Sequence, residues 1–287
     1  MLCRKRFALL LSLIITINLL TSCMFLAEDT DLSIHVINVG QGDSILVKTP
    51  NGRTMLIDGG EPTAGRSVVS YLRKNKVKKI DILIATHPHT DHIGGLIDVI
   101  DQFQIDSFYM PYKIHTSQTY ERLLDAANNK GLKATPATND IIINLDEDIV
   151  LYFLGPLKDY GDDLNNWSVV VKMDYKVQSF LFTGDLESLG EMDLLTAYNA
   201  DFLHAQFLKV AHHGSNTSTS QRFLEAVQPR IAVISSGKDN SYGHPHREVI
   251  DRLRDFNMAI YRTDQQGTIV IKSDGNRIWS NEKPYYH

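Results

Sequence analysis

The stretch Thr86-His-Pro-His-Thr-Asp-His-Ile-Gly-Gly95 constrains this chain more than any other. Four potential metal ligands, His87, His89, Asp91 and His92, fall within six positions, directly after the apolar run Ile80-Asp-Ile-Leu-Ile-Ala-Thr86. That run reads as a buried strand. A strand that ends this way delivers three imidazoles and a carboxylate to one loop. Such nitrogen and oxygen donors suit zinc, manganese or iron. Residues two apart on an extended segment share a side, so His87 and His89 can hold one ion. Asp91 and His92 come after the turn and can serve a second.

Around this loop the chain alternates strands and helices. Ser33–Val39, Ser44–Thr49 and Arg53–Asp58 read as three strands joined by short turns, with Pro50-Asn51-Gly52 supplying hairpin chemistry. Helices are expected over 65–76, 94–102 and 117–130, with a short strand at 106–110. A second group of strands is expected at 147–154, 167–175 and 176–182. It is followed by a helix over 186–199, a strand at 205–210, a helix over 220–227, a strand at 231–235 and a helix over 246–256. Strands at 259–262, 268–272 and around Ile278 finish the chain. The pattern gives an α/β protein with some antiparallel strands.

Polar residues recur where apolar strands end: Asp58-Gly-Gly60, the His-rich loop, Thr183-Gly-Asp185, His212-His213-Gly-Ser215 and Gly243-His-Pro-His246. Asp185 has two readings, a carboxylate that bridges two ions or the N-cap of the helix beginning at Leu186. His212 or His213 would close the second ion's site. Asp58 is either an acceptor that orients a ligand imidazole or a turn residue, and Asp43 in Gly-Gln-Gly-Asp-Ser has the same two readings. His244 and His246 flank Pro245 near the cleft mouth; either donates a proton or binds an anion, or the pair only shapes a loop, with His246 capping the next helix. Lys209 is placed either to touch an anion or to serve the strand that carries it.

Together, His87-x-His89-x-Asp91-His92 and Thr183-Gly-Asp185 resemble the metallo-β-lactamase superfamily. Val39-Gly-Gln-Gly-Asp-Ser-Ile-Leu46, Asp58-Gly-Gly60, Asn165-Asn-Trp-Ser-Val-Val170, Leu208-Lys-Val-Ala-His-His-Gly-Ser-Asn-Thr-Ser218 and the run from Ser235 to His246 are similar to the hydrolase domain of ComEC-type competence proteins. The resemblance runs from about Leu32 to about Lys272. It implies a four-layer αββα sandwich and two divalent ions, Zn²⁺ or Mn²⁺, held by His87, His89, Asp91, His92, Asp185 and His213. His213 is preferred to His212 on its spacing in secreted phosphorylcholine esterases of bacterial cell walls, which share the fold. Asp91 and His244 are the expected catalytic groups. Asp43, Asp58, Asn166, His212, Ser215 and His246 are expected to touch substrate or support a ligand. Two departures stand out. Many members carry a further His where this chain reads Leu164-Asn-Asn-Trp-Ser168, and ComEC-type domains often carry Asp where this chain has His89, which favours zinc.

The first residues speak to location. Met-Leu-Cys-Arg-Lys-Arg precedes an apolar run from Phe7 to Leu20, and Leu20-Thr-Ser-Cys23 resembles a lipoprotein processing site. The expectation is a signal peptide over 1–22, a lipidated Cys23, a tether over 23–31 and a hydrolase domain over 32–287, outside the cytoplasm and anchored to a membrane by lipid. A retained membrane-spanning anchor is the alternative, although the run is short for a span of roughly 20 residues. Cys3 and Cys23 are the chain's two cysteines, so the body has neither disulfide nor thiolate ligand. Without residues 1–22 the chain carries 26 basic and 34 acidic side chains, a net charge of −8. A protein that wraps long nucleic acid usually presents a basic surface, so that class is disfavoured.

The expected activity is metal-dependent hydrolysis of a phosphodiester, in DNA, RNA or a cell-envelope polymer. The alternatives are hydrolysis of a carboxylic ester, lactone or β-lactam, and a non-catalytic metal-binding lipoprotein that serves envelope assembly or DNA capture. The sequence leaves the oligomeric state open.

Overall fold

The computed structural model describes residues 31–286. The expected signal peptide, lipidated Cys23 and all but the last residue of the tether lie outside them. Among the described residues no helix is long and apolar enough to cross a membrane.

Fifteen strands form two sheets among the described residues. The first contains β1 (Leu32–Val36), β2 (Ile45–Lys48), β3 (Thr54–Ile57), β4 (Lys79–Ile84), β5 (Gln104–Met110) and β6 (Ala134–Pro136). The second contains β7 (Ile142–Asp146), β8 (Ile149–Gly155), β9 (Val170–Tyr175), β10 (Gln178–Phe182), β11 (Phe207–Lys209), β12 (Ile231–Ile234) and β13 (Ala259–Arg262). The last two, β14 (Ile269–Ser273) and β15 (Ile278–Ser280), return to the first sheet, giving orders β15-β14-β1-β2-β3-β4-β5-β6 and β13-β12-β11-β10-β9-β8-β7. Strand β14 runs antiparallel to β1, with Leu32 opposite Ser273, and so covers an edge that β1 would otherwise expose.

Alternation along the strands decides the layers. Ile34, Val36, Val47, Met55, Ile82 and Ile84 of the first sheet meet Leu151, Phe153, Val171, Phe180, Phe182 and Val233 of the second in one buried cluster. Leu46, Leu56, Leu83 and Phe108 face the other way, onto helices α1 (Gly65–Lys74), α3 (Leu96–Gln102) and α4 (Gln118–Asn129). Between α1 and α3 lies the one-turn helix α2 (Thr90–Ile93). On the far side Leu181, Leu208, Ala232 and Ile234 pack against α5 (Ser188–Ala197), α7 (Gln221–Val227) and α8 (Arg247–Asp255). Two short helices, α6 (Ala200–Leu203) and α9 (Thr263–Gln266), complete the set. The result is the αββα sandwich. Burying each such aliphatic or aromatic side chain contributes roughly 1.5–3 kcal/mol.

Strands β3, β4, β5 and β6 are mutually parallel, as are β10, β11, β12 and β13. Parallel strands are covered on both faces and read as continuous apolar runs. Their carboxyl ends open along one edge, so Asp58, His87, Asp185 and His213 emerge at a common cleft.

Several boundaries differ from expectation. Glu147 and Asp148 form the β7–β8 hairpin turn, with Asp148 at φ +59°, where a strand start was expected. Strand β7 itself is a missed partner, because its residues alternate too weakly. Trp167 ends a one-turn 3₁₀ segment, and the strand expected from Trp167 begins at Val170. The helix expected from Leu186 begins at Ser188.

Candidate metal centre

The His-rich loop is fixed from below by backbone. Gly59 N–H donates to the His92 carbonyl, Gly95 N–H to that of Gly60, and Asp43 N–H to that of Asp91. Such close approach needs residues without side chains. A Cβ on Gly42, whose φ is +117°, would stand 2.1 Å from the Asp91 carbonyl oxygen, and one on Gly95 would stand 2.0 Å from that of Gly59. Glycine alone tolerates both demands at Gly42.

On this base His87 and His89 converge, with His87 Nε2 2.8 Å from His89 Nδ1. The first turn of α2 then presents Asp91 and His92. Asp185 leaves β10 through Gly184, and its Oδ2 becomes the centre of the cluster. It lies 3.1 Å from His92 Nε2, 3.3 Å from His213 Nε2, 3.8 Å from His212 Nε2 and 3.9 Å from His87 Nε2. His213 Nε2 is also 3.3 Å from Asp91 Oδ2 and 3.3 Å from His92 Nε2. Ligand atoms of His87, His92 and Asp185, and of Asp91, His92 and His213, lie within 4.8 Å of one another.

Two features show that these residues fit metal ions. Asp185 Oδ1 is buried with no hydrogen-bond partner among the described residues, an expensive arrangement for a carboxylate. The protonation pattern also calls for positive charge. Burial alone would lower His92 and His213, yet the carboxylates, Asp185 foremost, hold both well above the ordinary imidazole range. Burial would raise Asp185, but His213 and His92 keep it well below the carboxylate range. Burial and the charge on His92 pull His87 far down. The carboxylates thus favour positive charge at His92 and His213, where ligands deprotonate when metal binds. The His and Asp clusters fit a dinuclear site, in which His87, His89 and Asp185 would hold one ion and Asp91, His92, His213 and Asp185 the other.

Behind the ligands stand groups that fix their rings. Asp58 accepts from His92 Nδ1 at 2.8 Å, from Thr86 N–H at 2.8 Å and from the Thr86 hydroxyl at 2.6 Å. Asp58 itself lies in the left-handed region at φ +58° and braces the His92 ring. His213 Nδ1 donates to the Ser235 carbonyl at 3.0 Å and faces Asp43 Oδ1 at 3.4 Å. Such partners set the tautomer and are typically worth about 10–100-fold in metal affinity. In Asp58→Asn an amide N–H opposes the His92 N–H, so the ion held by His92 should bind about 10–100-fold more weakly in chelator competition.

Other expected site residues are employed differently. Asp185 is not the cap of α5: that position is Glu187, and Asn166 Oδ1 accepts the N–H groups of Glu187 and Gly190 at 3.1 and 2.9 Å. Asn166 is thereby spent on the helix start, with its amide on Asp163 at 2.6 Å. Lys209 is fully buried, donates to Asp43 Oδ2 at 2.5 Å and to the Val210 carbonyl at 3.0 Å, and so cannot meet an anion in the cleft. His246 takes the N–H of Asn216 on Nδ1 at 2.9 Å and makes no side-chain cap to α8. Ser215 bonds the Thr217 hydroxyl at 2.9 Å, which in turn donates to Glu187 at 3.0 Å. His244 stays at the mouth, its ring centroid 5.5 Å from that of His212 and 6.2 Å from that of His213. Burial, then the neighbouring imidazoles, pull it down to about 4. It is therefore neutral at pH 7, which weakens its expected role as proton donor and leaves it a hydrogen-bonding ring. Glu187, unnoticed in the sequence, lies 3.2 Å from His212 Nδ1, which also meets the Thr217 hydroxyl at 3.3 Å. Its only sequence signal was its place two residues beyond Asp185.

A family model described as "Metallo-beta-lactamase superfamily" matches residues 37–238. The chain belongs to that superfamily. Within it, the competence branch stands out. ComE operon protein 3 of Bacillus subtilis is 32% identical over 256 residues, 83% of this chain and 33% of that protein. Competence protein ComA of Neisseria gonorrhoeae is 32% identical over 244 residues, 84% of this chain and 32% of that protein. The chain thus spans about a third of the length of these relatives. Ribonuclease Z of Aeropyrum pernix is 41% identical over 81 residues, 27% of this chain and 24% of that protein.

Proposed function

We propose that the protein is a metal-dependent phosphodiesterase, active on nucleic acid or on phosphodiesters of the cell envelope. One observation carries the hydrolytic reading: four imidazole Nε2 atoms ring a single buried carboxylate oxygen of Asp185, beside Asp91. The names of the relatives favour the phosphodiester, since two are competence-operon or competence proteins and one is a ribonuclease. The lipoprotein-like start at Cys23 supports a place outside the cytoplasm, attached to a membrane by lipid.

Zn²⁺ or Mn²⁺ bound there supplies Lewis acidity toward phosphoryl oxygens and brings water toward ionisation at neutral pH. The chain's residues do the rest. Asp185 and the five imidazoles and carboxylates around it fix the reacting centre on strand ends, where rigid elements hold it. Asp91 is a quarter exposed and stays ionised, far below the ordinary carboxylate range: burial opposes this, but His92 and His213 outweigh it. It can therefore accept a hydrogen bond from an entering water. His244, neutral at the mouth, can donate one to a phosphoryl oxygen.

The test is an activity screen of the full-length chain on bis(p-nitrophenyl) phosphate, single-stranded DNA, RNA and a choline-phosphate polymer, with Mn²⁺ or Zn²⁺ added. Turnover of at least one phosphodiester, abolished by chelator and restored by metal, is expected. Two bound ions with no turnover of any of them would instead support the metal-binding lipoprotein. Cleavage confined to carboxylic esters, lactones or β-lactams would also overturn the reading.

A further inference from the structure

The ion held by His87 and His89 receives only three donors from the elements described so far, the third being Asp185. The segment that adjoins this position offers none: Asn166 is committed to α5, and Ser168 Oγ accepts the Asp185 N–H at 3.0 Å. We infer that His212 is the fourth protein ligand of this ion, with Glu187 as the carboxylate that orients it.

Three observations agree. His212 Nε2 lies 3.8 Å from Asp185 Oδ2, practically the separation of the ligand His87, at 3.9 Å. Donors about 2.0–2.1 Å from one ion stand some 3–4 Å apart, so each nitrogen is spaced to share an ion with that carboxylate. The wiring of the ring is that of the ligands. His92 turns Nδ1 to Asp58, His213 turns Nδ1 to Asp43 and Ser235, and His212 turns Nδ1 to the Thr217 hydroxyl at 3.3 Å and to Glu187 at 3.2 Å. Glu187 is itself fixed by Asn165 Nδ2 at 3.1 Å and the Thr217 hydroxyl at 3.0 Å. A carboxylate behind an imidazole is the usual support of a metal-bound histidine.

The backbone is also built for this purpose. His212 and His213 both occupy the left-handed region, at φ +48° and +55°. Two successive non-glycine residues there are strained, at about 1–3 kcal/mol each. From these two successive left-handed residues both rings reach Asp185, at 3.8 and 3.3 Å. Gly214, at φ +83°, follows because Pro245 packs within 2.6 Å of where its Cβ would be. An imidazole from the end of β11 thus occupies a place that the polar loop before β9 leaves open.

This inference rests on the dinuclear reading of the centre. Its test is metal binding by the full-length chain, measured as metal content after gel filtration and as affinity by chelator competition, for wild type, His212→Asn and Glu187→Gln. Wild type is expected to hold two ions. His212→Asn should weaken one of them by about 10²-fold or more, and Glu187→Gln by about 10-fold, leaving the other within about threefold. Should the variants fail to fold, Co²⁺-loaded wild type decides by proton NMR. Hyperfine-shifted, exchangeable imidazole N–H signals should number five, one each from His87, His89, His92, His212 and His213, where four would exclude His212. Two ions with unchanged affinity in His212→Asn overturns the inference alone. Fewer than two ions in wild type overturns the dinuclear centre with it.

Discussion

Asp185→Asn is expected to lower phosphodiester turnover by roughly 10³-fold or more, beyond the 10²–10³ that follows loss of one transition-state hydrogen bond. The reason is geometric. Asp185 Oδ2 is the atom on which His87, His92, His212 and His213 converge, and Oδ1 is buried without a partner. An amide would remove the negative charge that two ions would share and place an N–H among imidazoles that would face cations. Metal content should fall from two ions to one or none while the fold survives, because Asp185 neither caps α5 nor belongs to the apolar core. Near-wild-type turnover with two bound ions in Asp185→Asn would show that this carboxylate does not bridge them.

Lys209→Met should produce the largest loss of stability. Lys209 belongs to the second sheet and Asp43 to the turn that follows β1 in the first, so their fully buried ion pair joins the two halves across 166 residues of sequence. Breaking a buried pair by removing one partner costs about 3–5 kcal/mol, because a charge is left without compensation. In a domain of this size that lowers Tm by roughly 6–20 °C.

The pH dependence gives the sign. Burial pushes the Asp43 carboxyl up, but the Lys209 ammonium, aided by His213, holds it below the ordinary value. A depressed carboxylate stabilises the fold above its unfolded pKa, and that contribution is lost as pH falls through the lower, folded value. Without Lys209 the burial of Asp43 is opposed only by His213 and His92, and its pKa rises. Mild acid then neutralises it, and the gap between Lys209→Met and wild type should narrow between neutrality and pH 4–5. Adding Asp43→Asn should restore much of the stability but not the metal affinity, since Asp43 also faces His213. Thermal melts and chelator titrations on the single and double variants check both halves. A Lys209→Met protein as stable as wild type at pH 7 would refute the role of the pair.

Much of this was legible in the residues. Parallel strands covered on both faces read as apolar runs, and each ended in residues out of place in a core, so the positions of Asp58, His87, Asp185 and His213 followed from where hydrophobicity stopped. The return of β14 to the first sheet was not legible, because strand pairing over more than two hundred residues leaves no local mark. Nor was the division of labour among side chains next to the site. Asn166 and Lys209 stand in motifs like those that carry the ligands, yet one caps a helix and the other neutralises Asp43. Which way a side chain points at the end of a strand depends on the turn that follows, as the two left-handed residues His212 and His213 show.

The central claim is that Asp185 is shared by two ions. Anomalous diffraction from crystals of the Zn²⁺- or Mn²⁺-loaded protein tests it most directly. The account predicts two peaks flanking Asp185, one toward His87 and His89 and one toward Asp91, His92 and His213. A single peak, or metal bound away from Asp185, would contradict it.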